Sequence, residues 1–568
     1  MSTSPRDSAD RTITSAHEPK PVDTPAAPDE DLILTGRKLA VVFVAMLLSV
    51  LLVALDQTIL ATALPRIASD FNNFSLQGWV ATSFILAQTV FLLFYGQLLR
   101  IFAAKWTMIV AVFLFELGSL VCALAPNVDA LIAGRAVSGL GAAGIFVSML
   151  QIISQVTRLE DRPRLLGFFG ALFGLSSIVG PLLGGAFVDN VSWRWCFWIN
   201  LPLGGVSIAG ILFLLKASPP LGSDPNQRTW AHLWQQALRL DYGGAILVAG
   251  FVTSLDLALQ WGGNTKPWGD TAVIVCFVVS GVLAILAICW EIRLGERAMV
   301  PTAIFKSRSI YAIMVYCFLS RFSLLLFSYY IPIFYQAARH HTATKSGIDL
   351  LPFMLSTVAS IIISGQLVGK FGRYYPFLLV APVFLAIGSG LLYTISPTTA
   401  SAKIVGFQIL AGVGTGLGMQ NSLLSIQVEF RDKSEARLLG QATSMASFAQ
   451  FFGGTIGLGV AGKTRLCDGA RKVPTQVRTR SAGRDRSGEP NGDLRRPTPG
   501  DVGKTEICMC RRVTAYGVVR SYTDSLRIVF ILGVPLAGLG LITAVFIKNL
   551  KIERPPVDKQ EPAVEETV

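Results

Sequence analysis

The chain has 568 residues, 52% hydrophobic and only 15% charged, with 49 Lys and Arg against 36 Asp and Glu and a mean hydropathy of +0.54. A water-soluble chain of this length needs far more polar surface, so soluble enzymes and soluble nucleic-acid-binding proteins are excluded. Windows of about 20 apolar residues, enough to cross about 30 Å of hydrocarbon as a helix, recur along most of the sequence and predict a polytopic all-α membrane protein.

In chain order, residues 1–38 are rich in Ser, Thr, Asp and Pro, contain no core of a cleavable signal, and are expected to form a disordered cytoplasmic tail. Fourteen windows follow, at 39–61, 79–99, 106–125, 130–153, 166–188, 196–216, 241–261, 272–290, 310–335, 348–369, 376–396, 402–425, 438–462 and 527–547. The first, LAVVFVAMLLSVLLVA, carries no charge and runs directly into Asp56 and Gln57 of LDQTILATALPRIASDF. Counted at about 1.5 Å per residue, Asp56 falls in the outer part of that segment, where it either titrates during transport or is a solvated carboxylate near a helix end.

Later segments carry further charges: Glu116 in the third, Arg135 in the fourth, Asp256 in the seventh and Arg321 in the ninth. Charges in lipid are expensive, so Glu116, Asp256 and Arg321 are candidate cavity charges on a substrate or proton path, with Asp256 expected at the periphery. Arg135 shares a helix face with Gly139 and is read as a coupling or gating residue or as a snorkelling one. In the fifth segment Pro181 frees the carbonyl of Ser177, and Gly180 and Gly184 form a GxxxG face, which predicts a bend and close helix packing. Trp79, Phe322, Phe327, Tyr329, Tyr330 and Tyr335 line either an amphipathic pocket or an interfacial belt.

Basic residues retained in the cytoplasm set the orientation. Arg37, Lys38, Arg100, Lys105, Arg158, Arg162, Arg164, Arg293, Arg297, Lys370, Arg373, Arg431 and Lys433 all fall in loops on one side, which places both termini inside. The sequons at Asn73 and Asn190 then lie outside as glycosylation candidates. Residues 463–520, with 14 Lys or Arg against 6 Asp or Glu, form an Arg-rich outer loop expected to be disordered. Its reading is attraction to anionic surfaces, a tolerated insertion, or a gene-model artefact. The eight cysteines and four histidines show no metal spacing, so no metal site is expected.

GQLLRIFAAKW (96–106) after the second segment and GQLVGKFGRYY (365–375) after the tenth form an internal repeat. A loop duplicated at the same place in two bundles points to a parallel-repeat transporter whose halves rock about a central site. At these residues the chain resembles the major facilitator superfamily, and within it the fourteen-helix drug:proton antiporter family found in fungi. The resemblance rests on LDQTILATALPRIASDF, GRAVSGLGAAG (134–144), GLSSIVGPLLGGAFVDNVSWRWCFWINLPLG (174–204), LALQWGG (257–263), RAMVPTAIFKSRS (297–309) and SGIDLLPFML (346–355).

The resemblance implies a major facilitator fold of 14 transmembrane helices: a six-helix bundle at 39–216, two inserted helices within 217–309, a second six-helix bundle at 310–547 and a cytoplasmic tail at 548–568. It implies proton coupling at Asp56 with Arg135, an antiporter motif at Gly174, Gly180, Pro181, Gly184 and Gly185, and gating loops at Gly96, Arg100, Lys105, Gly365, Gly369, Gly372 and Arg373. The family carries an acid and a glycine where this chain has Arg100 and Ala103; that acid is thought to latch the inner gate, and Arg100 reverses its charge. The function expected is export of small amphipathic drugs, toxins or secondary metabolites in exchange for protons, by a monomer in the plasma or vacuolar membrane, with no cofactor and no nucleic-acid partner. No GxxxxGKS/T loop indicates nucleotide use. Rival readings are a siderophore or nutrient importer and a non-transporting sensor; an integral membrane enzyme finds no nucleophile or metal constellation.

Overall fold

The computed structural model describes residues 33–71, 77–220, 230–263, 265–431, 435–472 and 523–552. They form helices α1 (Gly36–Asp70), α2 (Gln77–Leu98), α3 (Ala104–Leu124), α4 (Val128–Val156), α5 (Arg162–Asn190), α6 (Asn200–Leu214), α7 (Tyr242–Trp261), α8 (Thr271–Leu294), α9 (Arg308–Arg339), α10 (Ala343–Phe371), α11 (Tyr375–Tyr393), α12 (Ser401–Glu429), α13 (Leu439–Lys472) and α14 (Gly533–Phe546). Their starts follow side-chain chemistry. Asn127, Asp241 and Asp270 accept the first free amides of α4, α7 and α8 at 2.8, 2.7 and 2.9 Å. Gly372 closes α10 in the left-handed region at φ 67°, which a side chain resists.

Thirteen helices among the described residues are long and apolar enough to cross a membrane. The helix not among them, α13, carries Gln441, Thr443, Ser444, Ser447 and Gln450, all buried against neighbouring helices. α1 continues well past the expected end of its apolar window, to Asp70. α13 likewise continues past residue 462 to Lys472, so the first ten residues of the Arg-rich stretch are helical rather than loop; the rest of that stretch and the Asn73 sequon lie outside the described residues.

Helices α1–α6 pack on one another, as do α9–α14, and the two sets meet where α5 crosses α10 and α2 crosses α13. α4 is central, with 78% of its apolar window buried, whereas α8 is peripheral at 17% and turns Ile274, Val278, Ile285, Ile288 and Ile292 outward. α7, beside it, packs on α2 and α13.

The apolar core is unevenly shared. At the end that carries the basic loops one continuous cluster joins both sets, including Leu99, Met149, Ile153 and Phe169 with Ile313, Leu424, Leu439 and Phe451. Toward the opposite end the cores separate: one contains Ile59, Val80, Leu131, Trp193 and Phe197, the other Phe322, Phe327, Tyr330, Phe353 and Phe530. The halves therefore share one apolar core at the basic end and have separate cores toward the other.

Candidate functional site

Asp56 and Arg135 come together. Both are 1% exposed, and Arg135 Nη1 donates to Asp56 Oδ2 in a fully buried ion pair between α1 and α4. Arg135 Nε donates to the Val80 carbonyl at 3.2 Å, and its guanidinium lies 4.3 Å from the Phe84 ring centroid. Asn200 Nδ2, at the start of α6, reaches Asp56 Oδ1 at 3.4 Å and Ser119 Oγ of α3 at 3.2 Å. The carboxylate thus joins α1, α4 and α6, and its two partners extend the network to α2 and α3. This corrects two expectations: Arg135 does not snorkel, and Asp56 is not open to the outer solution, because its partner and the surrounding core seal it.

The glycines of the fifth helix explain how α1 is held there. A Cβ at Gly180 would stand 2.1 Å from Thr58 Oγ1, and one at Gly184 2.2 Å from Thr62 Oγ1. Both positions therefore admit only glycine at this separation, and the Thr58 hydroxyl uses the closeness to donate to the Ser176 carbonyl at 2.9 Å. Pro181 lies inside the same helix. Gly174 faces the other way, toward Val358 of α10, while Gly185 meets nothing within 4 Å and takes no part in the packing.

Glu116 lies beside this cluster rather than in a cavity between the halves. One turn along α3 from Ser119, it is 7% exposed and pressed on Gly204 of α6, and neither carboxyl oxygen has a hydrogen-bond partner. Asp256, 6% exposed on α7, accepts from Gln260 at 3.4 Å, and Gln260 in turn bonds Thr82 of α2. Arg321 on α9 is separate from all of these and contacts Met419 and Phe451.

The duplicated loops form the closed end. Gly96 of the first copy abuts Ser444 and Gln441 of α13, and Gly365 of the second abuts Pro163 and Gly167 of α5, so the same motif glycine seats each half on the other. Gly369 packs on the Arg164 side chain, Lys105 Nζ donates to the Leu212 carbonyl at 2.7 Å, and Arg373 is exposed.

Arg100 ties the first loop to α13 and to the segment after α8. Its Nη1 donates to Gln441 Oε1 at 3.2 Å and to the Glu296 carbonyl at 3.1 Å, and Gln441 Nε2 donates to the carbonyls of Ala298 and Met299 at 3.3 and 3.1 Å. Burial, then the neighbouring Arg437, draws the Arg100 guanidinium below its ordinary value, and Glu296 opposes them.

Residues 46–458 match the model of the Major Facilitator Superfamily. The chain belongs to this family. Its curated relatives include the MFS-type transporter phomT of Diaporthe leptostromiformis, 42% identical over 75% of this chain and 71% of that one. The efflux pump aflT of Aspergillus parasiticus is 38% identical over 75% and 82%, and the efflux pump roqT of Penicillium rubens 35% identical over 95% and 97%. Among solved structures, the major facilitator proton:xylose symporter XylE shares the fold at a TM-score of 0.55 and 12% identity, covering 91% of this chain and 97% of that one. The chain is accordingly a multi-pass membrane transporter of small molecules, of the fungal efflux type, and not an enzyme.

Within this major facilitator frame, sequence reasoning missed Asn200 and Ser119, the link from Asp56 to α3 and α6, and also Gln441. Asn200 was legible as a lone amide in the apolar run FWINLPLG; Gln441, near the start of a helix of mixed polarity, offered no such contrast.

Proposed function

We propose that the chain is a proton-coupled exporter, exchanging external protons for small amphipathic compounds such as toxins, drugs or secondary metabolites. It works in the plasma membrane with the basic end and both termini cytoplasmic. The observation that carries this reading is the buried Asp56–Arg135 pair, tied through Asn200 and Ser119 to α3 and α6.

Such a pair is a two-state element. With Asp56 ionised, Coulomb attraction and the hydrogen bonds of Asn200 and the Val80 carbonyl hold α1, α2, α4 and α6 together. A proton delivered to Asp56 removes that attraction and leaves Arg135 seeking another acceptor, which favours a different packing of the four helices. Because α5 meets α1 through Gly180 and Gly184 and α10 through Gly170 and Gly174, a shift of α1 is passed to the seam between the halves. Protons entering from the outer end and leaving at the basic end supply the work of export. The relatives named as efflux pumps support the direction of transport.

The test uses the purified chain in proteoliposomes with an imposed pH gradient and rhodamine 6G or fluorescein as the transported probe. Accumulation is expected only while the gradient stands, and Asp56→Asn is expected to lose it. Equal gradient-driven accumulation by the wild type and Asp56→Asn removes Asp56 from coupling.

A further inference from the structure

Arg321 stands near the middle of α9, half-buried, and its surroundings lack what an intramembrane arginine needs. Nη1 reaches only the Met419 sulfur, at 3.8 Å, the guanidinium lies 4.7 Å from the Phe451 ring centroid, and the buried Nε has no partner. A thioether is a weak acceptor and a ring face carries no formal charge, so neither neutralises the cation. The carboxylates of the same bundle whose side chains are described are engaged elsewhere: Asp349 with His341, Glu429 with Lys548, Glu435 with Lys306 and Asp524 with Arg527. Among the described residues Arg321 has no ion-pair partner.

Its position gives that unmatched charge a use. Phe451, under the guanidinium, is met edge-on by Phe146 of α4 at 5.6 Å between centroids, a ring contact that joins the two halves. Four residues before Arg321, Cys317 belongs to the core the halves share; one residue after it, Phe322 belongs to the separate core of the second half. Arg321 therefore stands where the core shared by both halves gives way to the core of the second half alone, partly exposed and with aromatic rings beside it.

We propose that Arg321 is the anion-recognition residue of the transport path. The compounds it favours have an acidic group ionised at neutral pH, a carboxylate or an acidic phenol or enolate, on an apolar ring-bearing body; compounds without one pass without using Arg321. The acid takes the fork of donors that no described carboxylate fills, and the body lies against Phe451 and Phe146. This rests on the exporter reading above and names its substrate class.

Fluorescein and rhodamine 6G share a ring system and differ in charge, which makes them suitable probes for the full-length chain. In proteoliposomes the wild type is expected to move fluorescein in preference, and Arg321→Gln to lower fluorescein export about tenfold through KM, with rhodamine 6G unchanged or faster. Arg321→Lys, which keeps the charge but not the fork, is expected to retain part of the fluorescein export. Loss of both probes to the same degree in Arg321→Gln overturns the proposal, since a merely structural arginine behaves that way. Equal fluorescein export by wild type and Arg321→Gln also overturns it.

Fluorescein binding to the detergent-solubilised chain, read by anisotropy, separates the site from the exporter reading. Binding that depends on Arg321 without gradient-driven transport sinks the exporter reading and keeps the site. Binding indifferent to Arg321 sinks the site.

Discussion

The two halves treat a buried arginine in opposite ways. Arg135 in the first half is fully enclosed, bound to Asp56 and to the Val80 carbonyl, with a ring beneath it. Arg321 in the second half also has a ring beneath it but only a sulfur to donate to, and it is partly accessible. On the reading proposed above, the compensated charge holds helices together and the uncompensated one receives a ligand, so a moving part in the first half is paired with recognition in the second.

The largest expected effect breaks the compensated side. Asp56→Asn leaves Arg135 buried without its partner, and removal of one member of a buried pair costs about 3–5 kcal/mol. A fall in melting temperature of the detergent-solubilised chain, by fluorescence-detected size exclusion, is the readout. The double variant Asp56→Asn with Arg135→Gln is expected to recover most of that loss without recovering gradient-driven transport. A double variant as unstable as the single one contradicts the pair as described.

Next in size is the clamp that holds the pair in place. Gly180→Val drives methyl groups into Thr58, and overpacking of this kind costs about 1–3 kcal/mol. Gly185→Val in the same motif meets open space and is expected to leave the melting temperature unchanged.

The comparison is sharpened by making the second half resemble the first. Met419→Glu offers Arg321 the carboxylate it lacks, and the expected result is about a tenfold loss of fluorescein export with rhodamine 6G export retained. The smallest effect belongs to Arg100. Arg100→Ala removes two partly exposed hydrogen bonds, about 1 kcal/mol or less, and is expected to raise the accessibility to water-soluble thiol reagents of a cysteine placed at Gly440.

Much of this is legible in the sequence for physical reasons. Apolar windows of bilayer length give the helices, because lipid demands that each backbone bond be satisfied within its own segment. The glycines 180 and 184 announce close packing because glycine has no other use in that register. What stays illegible is pairing. Asp56 and Arg135 are both conspicuous, yet composition and periodicity do not say that residues 79 positions apart form an ion pair. Glu116 is conspicuous as well and lies away from the seam between the halves, since a helix face can be read from sequence but the neighbour it meets cannot. Arg100 reads as a reversed charge, and nothing in the sequence places the Gln441 amide of α13 beside it.

Asp241 carries one last consequence. Besides capping α7, its carboxylate accepts from Trp290 of α8 at 2.8 Å and from the Met299 amide at 3.3 Å, while its own amide is held at 3.1 Å by Gln97, the second residue of the duplicated motif. Gln97 also donates to the Arg297 carbonyl at 2.9 Å. The two extra helices are thus tied by hydrogen bonds to the first copy of the duplicated loop. Excising 217–309 to make a smaller transporter would leave Gln97 without the Asp241 amide and the Arg297 carbonyl, and such a variant is expected to melt at a lower temperature in detergent than the full chain.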